Sequence, residues 1–153
     1  MYNQALIDKL LDLSRNHAGE IAELWHKGVI TNPRTSSFCG LNRDTLVHQA
    51  ASLYKNLKQL FFADNPYSEM QNFLDSINFA EYTYQNKIPL AEAIYALILL
   101  RRHIWLHAET QAMLYNSPLE MYQALESVNR TILLFDYAIY FVIQRYEELA
   151  KKK

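Results

Sequence analysis

Two histidines four residues apart, His103 and His107, are the first feature of the sequence with the spacing for chemistry. On a helix their rings share one face about a turn apart, an arrangement that suits zinc or nickel. A closed zinc site takes four ligands, and a catalytic one takes three plus water. The other histidines, His17, His26 and His48, fall in other predicted helices. The pair is therefore read as structural, and no metal is assigned. His103, flanked by Leu99, Leu100 and Ile104, is also the best-placed axial ligand for a haem, with His26 next. Arg101 and Arg102 directly before it argue against an apolar haem pocket, so no cofactor is expected.

Those two arginines carry the other chemical reading. Arg101 falls in phase with Ile94, Leu97, Ile98, Ile104 and Trp105, which predicts an internal position. A buried guanidinium needs a carboxylate, and Asp75, Glu81 or Asp136 could supply it. The functional alternative is an anion or carboxylate ligand held around Arg101, Arg102, His103 and Trp105. Eleven Tyr and seven Phe suit a core with hydroxyls at its rim, or a small-molecule pocket. No nucleophile elbow, phosphate loop or C-x-x-C pattern is present. No catalytic residue is assigned, and the chain is not expected to be an enzyme.

Composition narrows the setting for these residues. The chain has 153 residues, half of them hydrophobic, enough for one core without disulfides or metals. Fifteen Lys and Arg balance sixteen Asp and Glu, which argues against nucleic-acid binding by bulk charge. Three Gly and four Pro are too few for glycine-rich nucleotide folds or turn-dense sandwiches. The lone Cys39 cannot form an internal disulfide, so a cytoplasmic setting is expected. No signal-peptide pattern opens the sequence, and no apolar run is long enough for membrane insertion.

The elements that must position these groups read as helices. Apolar residues recur at three and four over residues 2–16 and 17–30. Thr31 to Leu41, with Pro33, Gly40 and four hydroxyl residues, reads as a loop pinned by Phe38. A third helix is predicted from Asn42 or Asp44 to Phe62. Asn65-Pro66 gives a cap and a first-turn proline for a fourth, running to Gln85. Pro89 opens a fifth, reaching Tyr115, whose segment from Ala93 to Leu100 is apolar all round and predicts burial on several sides. Ser117-Pro118-Leu119-Glu120 has the makings of a capping box, and the last helix runs to Ala150. The expectation is an all-α domain of about six helices.

That last helix carries Leu125, Val128, Ile132, Phe135, Ile139, Val142, Tyr146 and Leu149 at alternating spacings of three and four. This is a run of eight heptad positions, with Leu133, Tyr137, Tyr140 and Ile143 beside it. Thirty-three residues span about 50 Å, more than the ~40 Å diameter of a compact chain of this size. A straight helix must project or be covered, so the eight positions are expected to face a second copy in a homodimer.

The segment Lys87-Ile88-Pro89-Leu90-Ala91-Glu92 and its continuation through Ala96-Leu97-Ile98-Leu99-Leu100-Arg101-Arg102-His103-Ile104-Trp105 resembles the N-terminal domain of RsbRD-type RsbT co-antagonists. It is also similar to domains ahead of bacterial sensor histidine kinases. In that pattern a G-x-P-L-x-E turn opens the helix; here Asn86-Lys87 stands where the glycine falls. The preceding Phe79-Ala80-Glu81 also fits. The resemblance implies a globin-like or helical-bundle sensor module, dimeric and usually without haem, feeding a downstream regulatory or kinase domain in stress signalling. On this reading the chain is an excised input domain or a stand-alone relative. The combined expectation is a non-enzymatic cytoplasmic signal-input and dimerisation module. The alternative is a ligand-carrying helical domain, either a haem globin or a small-molecule binder.

Overall fold

A computed structural model describes residues 4–107 and 118–152, without the side chains of 4–7, 10, 118–124 and 126–128. The described residues form helices joined by turns and short irregular connections, with no strand among them. The α-helices are α1 (Gln4–Asn16), α2 (Ala18–Thr31), α3 (Arg43–Phe61), α4 (Pro66–Ile77), α5 (Phe79–Gln85), α6 (Leu90–Leu106) and α7 (Pro118–Lys151). No helix among the described residues is long and apolar enough to cross a membrane.

Local chemistry sets most of the boundaries. Asn42 and Asn65 cap α3 and α4, each accepting from the backbone N–H three residues on, at 2.9 and 3.2 Å. The segment expected to be a loop winds instead into a 3₁₀ turn over Pro33–Gly40, with non-helical dihedrals at Thr35. Its anchors are Phe38, fully buried, and Thr35, whose hydroxyl donates to the Val29 carbonyl at 2.6 Å.

The predicted fourth helix is two helices. Asn78 takes a left-handed conformation (φ 59°, ψ 34°) and donates its N–H to the Leu74 and Asp75 carbonyls, closing α4 and turning the chain into α5. Asparagine tolerates this conformation better than other residues with a Cβ. The fifth predicted helix is also shorter than expected. α6 stops at Leu106 and His107 is extended (φ −64°, ψ 130°). The remainder of its predicted span and the Ser117 to Glu120 cap lie outside the described residues or side chains. Lys87, at the place of the glycine in the resembling turn, has φ 61°.

α6 is the axis of the core. Ala93, Ala96, Leu97, Leu99, Leu100 and Ile104 are buried in it. It packs on α2, on the 3₁₀ turn and on α7, while α3 packs on α1 and α2. Large side chains tie to backbone carbonyls in and before α6. Trp25 donates its indole N–H to Ala96 O at 3.0 Å, and Tyr54 its hydroxyl to Leu100 O at 2.7 Å. Tyr146 donates to Ile88 O at 3.0 Å. Each bond lets a bulky aromatic be buried with its polar atom satisfied. Burial pushes the Tyr54 phenol well above its ordinary range.

Candidate functional site

Neighbouring residues on α6 point about 100° apart, and this scatters the candidate ligand-binding residues. Arg102 is exposed, with its guanidinium 5.9 Å from the ring centre of Tyr95, seven residues back on the same face. Arg34, from the 3₁₀ turn, reaches the same ring at 5.7 Å. No carboxylate among the described residues pairs with either arginine. The Arg102 side chain is the main influence holding the Tyr95 hydroxyl below its ordinary range, against desolvation. The charges of Arg102 and Arg34 and the Asn32 side chain add to it. Two cations thus converge on one phenol in an open patch suited to anions.

His103 belongs to a different surface. Its Nε2 lies 2.9 Å from where a Cβ on Gly28 would stand, so the ring seats against the α2 backbone in the space that Gly28 leaves, and a side chain there would push it aside. Desolvation, and then the Arg102 charge, hold the imidazole below its ordinary range. Trp105 is half-buried. Arg101 is also half-buried, and no carboxylate among the described residues pairs with it, so the expected internal ion pair is not at Arg101. Of its three expected partners, Asp75 and Asp136 are exposed, and Glu81 is taken by Arg145.

That pair ties α5 to α7. Arg145 Nε donates to Glu81 Oε1 at 2.8 Å, a second guanidinium nitrogen bonds the same oxygen, and Glu148 accepts at 2.6 Å. The hydrogen bonds to Glu81 raise the Arg145 guanidinium above its already high range. Sequence phase missed this arginine because Arg145 sits among polar neighbours near the chain end, and Glu81 is sixty-four residues away.

The two histidines read as a pair also separate. His107 leaves the helical register at the end of α6 and faces the junction of α1 and α2. There His17 Nδ1 lies 3.2 Å from Glu20 Oε2, His107 Nε2 lies 3.6 Å from Glu20 Oε1, and the two rings are 5.2 Å apart. The only early signal was the i,i+3 spacing of His17 and Glu20.

The expected dimer surface is divided too. Phe135, Val142 and Tyr146 are buried by the chain's own helices, which corrects the expectation that they face a partner. The buried side of α7 is Thr131, Leu134, Phe135, Ala138, Phe141, Val142 and Tyr146. Ile132, Ile139 and Leu149 lie at the margin, half-buried, and the side chain of Val128 lies outside the description. Leu125 (56%), Leu133 (46%) and Tyr140 (53%) are exposed. An enclosed void beside Trp25, Gln49, Met70 and Leu97 holds about 10 Å³, the space of one water.

Compared with known proteins, the chain matches no family model, no curated protein and no solved structure.

Proposed function

We propose that the protein is a non-enzymatic signal-input module of the cytoplasm, a globin-like or helical-bundle domain that dimerises through α7 and passes a signal along it to a regulatory or kinase partner. The observation that carries this reading is the outer side of α7. Leu125, the neighbours Ile132 and Leu133, and the neighbours Ile139 and Tyr140 recur at intervals of seven. They lie on or beside the side turned away from the core. A heptad-spaced apolar seam on a 34-residue helix fits another helix of the same pattern, so a second copy of the chain is the natural occupant.

Support for an input role, rather than catalysis, comes from how α7 is held. Its inner side is joined to α4, α5 and α6 by packing and to Glu81 by Arg145. A shift in the helices beneath would therefore be carried along it. The resemblance of the α6 segment to sensor domains points the same way, and the Arg34, Tyr95 and Arg102 patch offers a place for an anionic ligand. Sedimentation equilibrium of the wild-type chain tests the reading. A monomer–dimer equilibrium within the micromolar range is expected. A chain that stays monomeric at high micromolar concentration overturns it.

A further inference from the structure

We propose that His17, Glu20 and His107 bind a divalent transition metal of the zinc type, fastening the end of α6 to the junction of α1 and α2. One ligand atom from each of the three lies within 4.8 Å of the others. Around a tetrahedral zinc with bonds of 2.0–2.1 Å, neighbouring ligand atoms stand about 3.3 Å apart. The contacts to Glu20 are of that order, 3.2 Å from His17 Nδ1 to Oε2 and 3.6 Å from His107 Nε2 to Oε1, each imidazole meeting a different carboxylate oxygen. Binding one ion draws atoms up to 4.8 Å apart to that separation, by rotation of the exposed Glu20 and the half-exposed His17 side chains.

The state of His107 is the second observation. Its side chain is 6% exposed, yet Nδ1 is buried with no hydrogen-bond partner among the described residues, and Nε2 finds only Glu20, beyond hydrogen-bond range. A buried imidazole so poorly satisfied calls for a specific cause, such as a bound water or ion. The Glu20 carboxylate is the matching observation. No lysine or arginine among the described residues pairs with it; both of its oxygens face imidazoles. A metal ion would replace the long contact between His107 Nε2 and Glu20 with a bond to each, and would leave Nδ1 to a water.

The donor set selects the metal. Two imidazoles and one carboxylate suit zinc and its borderline neighbours, whereas calcium and magnesium take oxygen ligands and copper(I) takes sulfur. Cys39, the one thiol, is occupied elsewhere, donating to the Ile30 carbonyl at 3.1 Å. Glu20 is 61% exposed and borders an open groove of about 430 Å³ with Leu24, His26, Lys27 and Arg43. The Glu20 carboxylate is therefore open to solvent, which would supply the fourth ligand. Three protein ligands and an exchangeable fourth give a reversible site that fills and empties with metal concentration. This proposal does not depend on the dimer.

The test titrates the chelator-treated chain with zinc chloride by calorimetry, and with cobalt(II), whose visible absorption is strong when tetrahedral. One metal per chain is expected, with intense cobalt bands and a higher melting temperature in zinc. Glu20→Gln and His17→Asn change exposed or half-exposed side chains and leave the fold intact. Each should weaken zinc by well over ~10-fold, since even outer-shell partners are worth that much, and should abolish the cobalt bands. His48→Asn, on the exposed side of α3, should change neither. Absence of saturable binding overturns the proposal. So does one-to-one binding that both Glu20→Gln and His17→Asn leave unchanged. His107→Asn is informative through the cobalt spectrum wherever that variant remains folded.

Discussion

The inner and outer sides of α7 are built from the same kinds of residue and meet different surroundings. Inside, Phe135 and Val142 are fully buried, Tyr146 bonds the backbone ahead of α6, and Arg145 meets Glu81. Outside, Leu125, Leu133 and Tyr140 are as apolar, yet about half of each is open. The inner side stabilises the fold of one chain. The outer side contributes to that fold little, and its apolar character is the ground for proposing that a second helix covers it. A heptad pattern in sequence counts both sides together, and only tertiary packing separates them.

The largest expected effect is on the inner side. Phe135→Ala should cost about 3–5 kcal/mol, the loss seen for large aromatic truncations in close-packed cores, read as a lower denaturant midpoint. A loss below about 1 kcal/mol would mean that α7 is not seated as described. Next comes the Arg145 and Glu81 pair, whose side chains are 24% and 17% exposed. Arg145→Met strands the Glu81 carboxylate and should cost about 1–3 kcal/mol. Adding Glu81→Leu should recover part of it, because replacing both members of a partly buried pair is cheaper than stranding one.

A smaller effect follows from His103, whose imidazole is held below its ordinary range by burial against α2. As pH falls below the ordinary histidine value of ~6.5, the unfolded chain takes up the proton first. Stability should therefore fall with pH from about 6.5 down to the lowered native value, and His103→Asn should flatten that slope. Denaturant midpoints between neutral and mildly acid pH check this, and an unchanged slope counts against the described seat. The smallest effect concerns Lys87, at φ 61°. Lys87→Gly relieves a left-handed residue and should gain about 0.5–1 kcal/mol after the entropy of glycine is subtracted.

These positions also show how far the sequence reaches. Local signals were readable: Asn65 caps the helix that it was expected to cap, α3 begins beside Asn42, one of its two expected starts, and the apolar segment of α6 lies at the centre of the core. What depended on a partner far along the chain was not. The break at Asn78 needs a left-handed residue that composition does not mark. Arg101 has the phase of a buried arginine, but the buried side of α6 is centred on Ala93, Ala96, Leu97, Leu100 and Ile104 and leaves it at the margin, and Glu81 is engaged from α7. His107 looked like the neighbour of His103 because a continuous helix was assumed. The extended backbone at residue 107 turns it instead toward His17, ninety residues away in sequence.

The most direct test of the central claim compares the two sides of α7 in one measurement. Leu133→Glu combined with Tyr140→Glu places two charges on the outer side, and sedimentation and denaturation are recorded on the same samples. At a concentration where the wild-type chain is dimeric, the variant should sediment as a monomer. Its unfolding midpoint at high dilution should stay within about 0.5 kcal/mol of wild type, as for exposed positions. A variant that remains as dimeric as the wild type would contradict the account, by showing that the outer side of α7 is not where the chains meet.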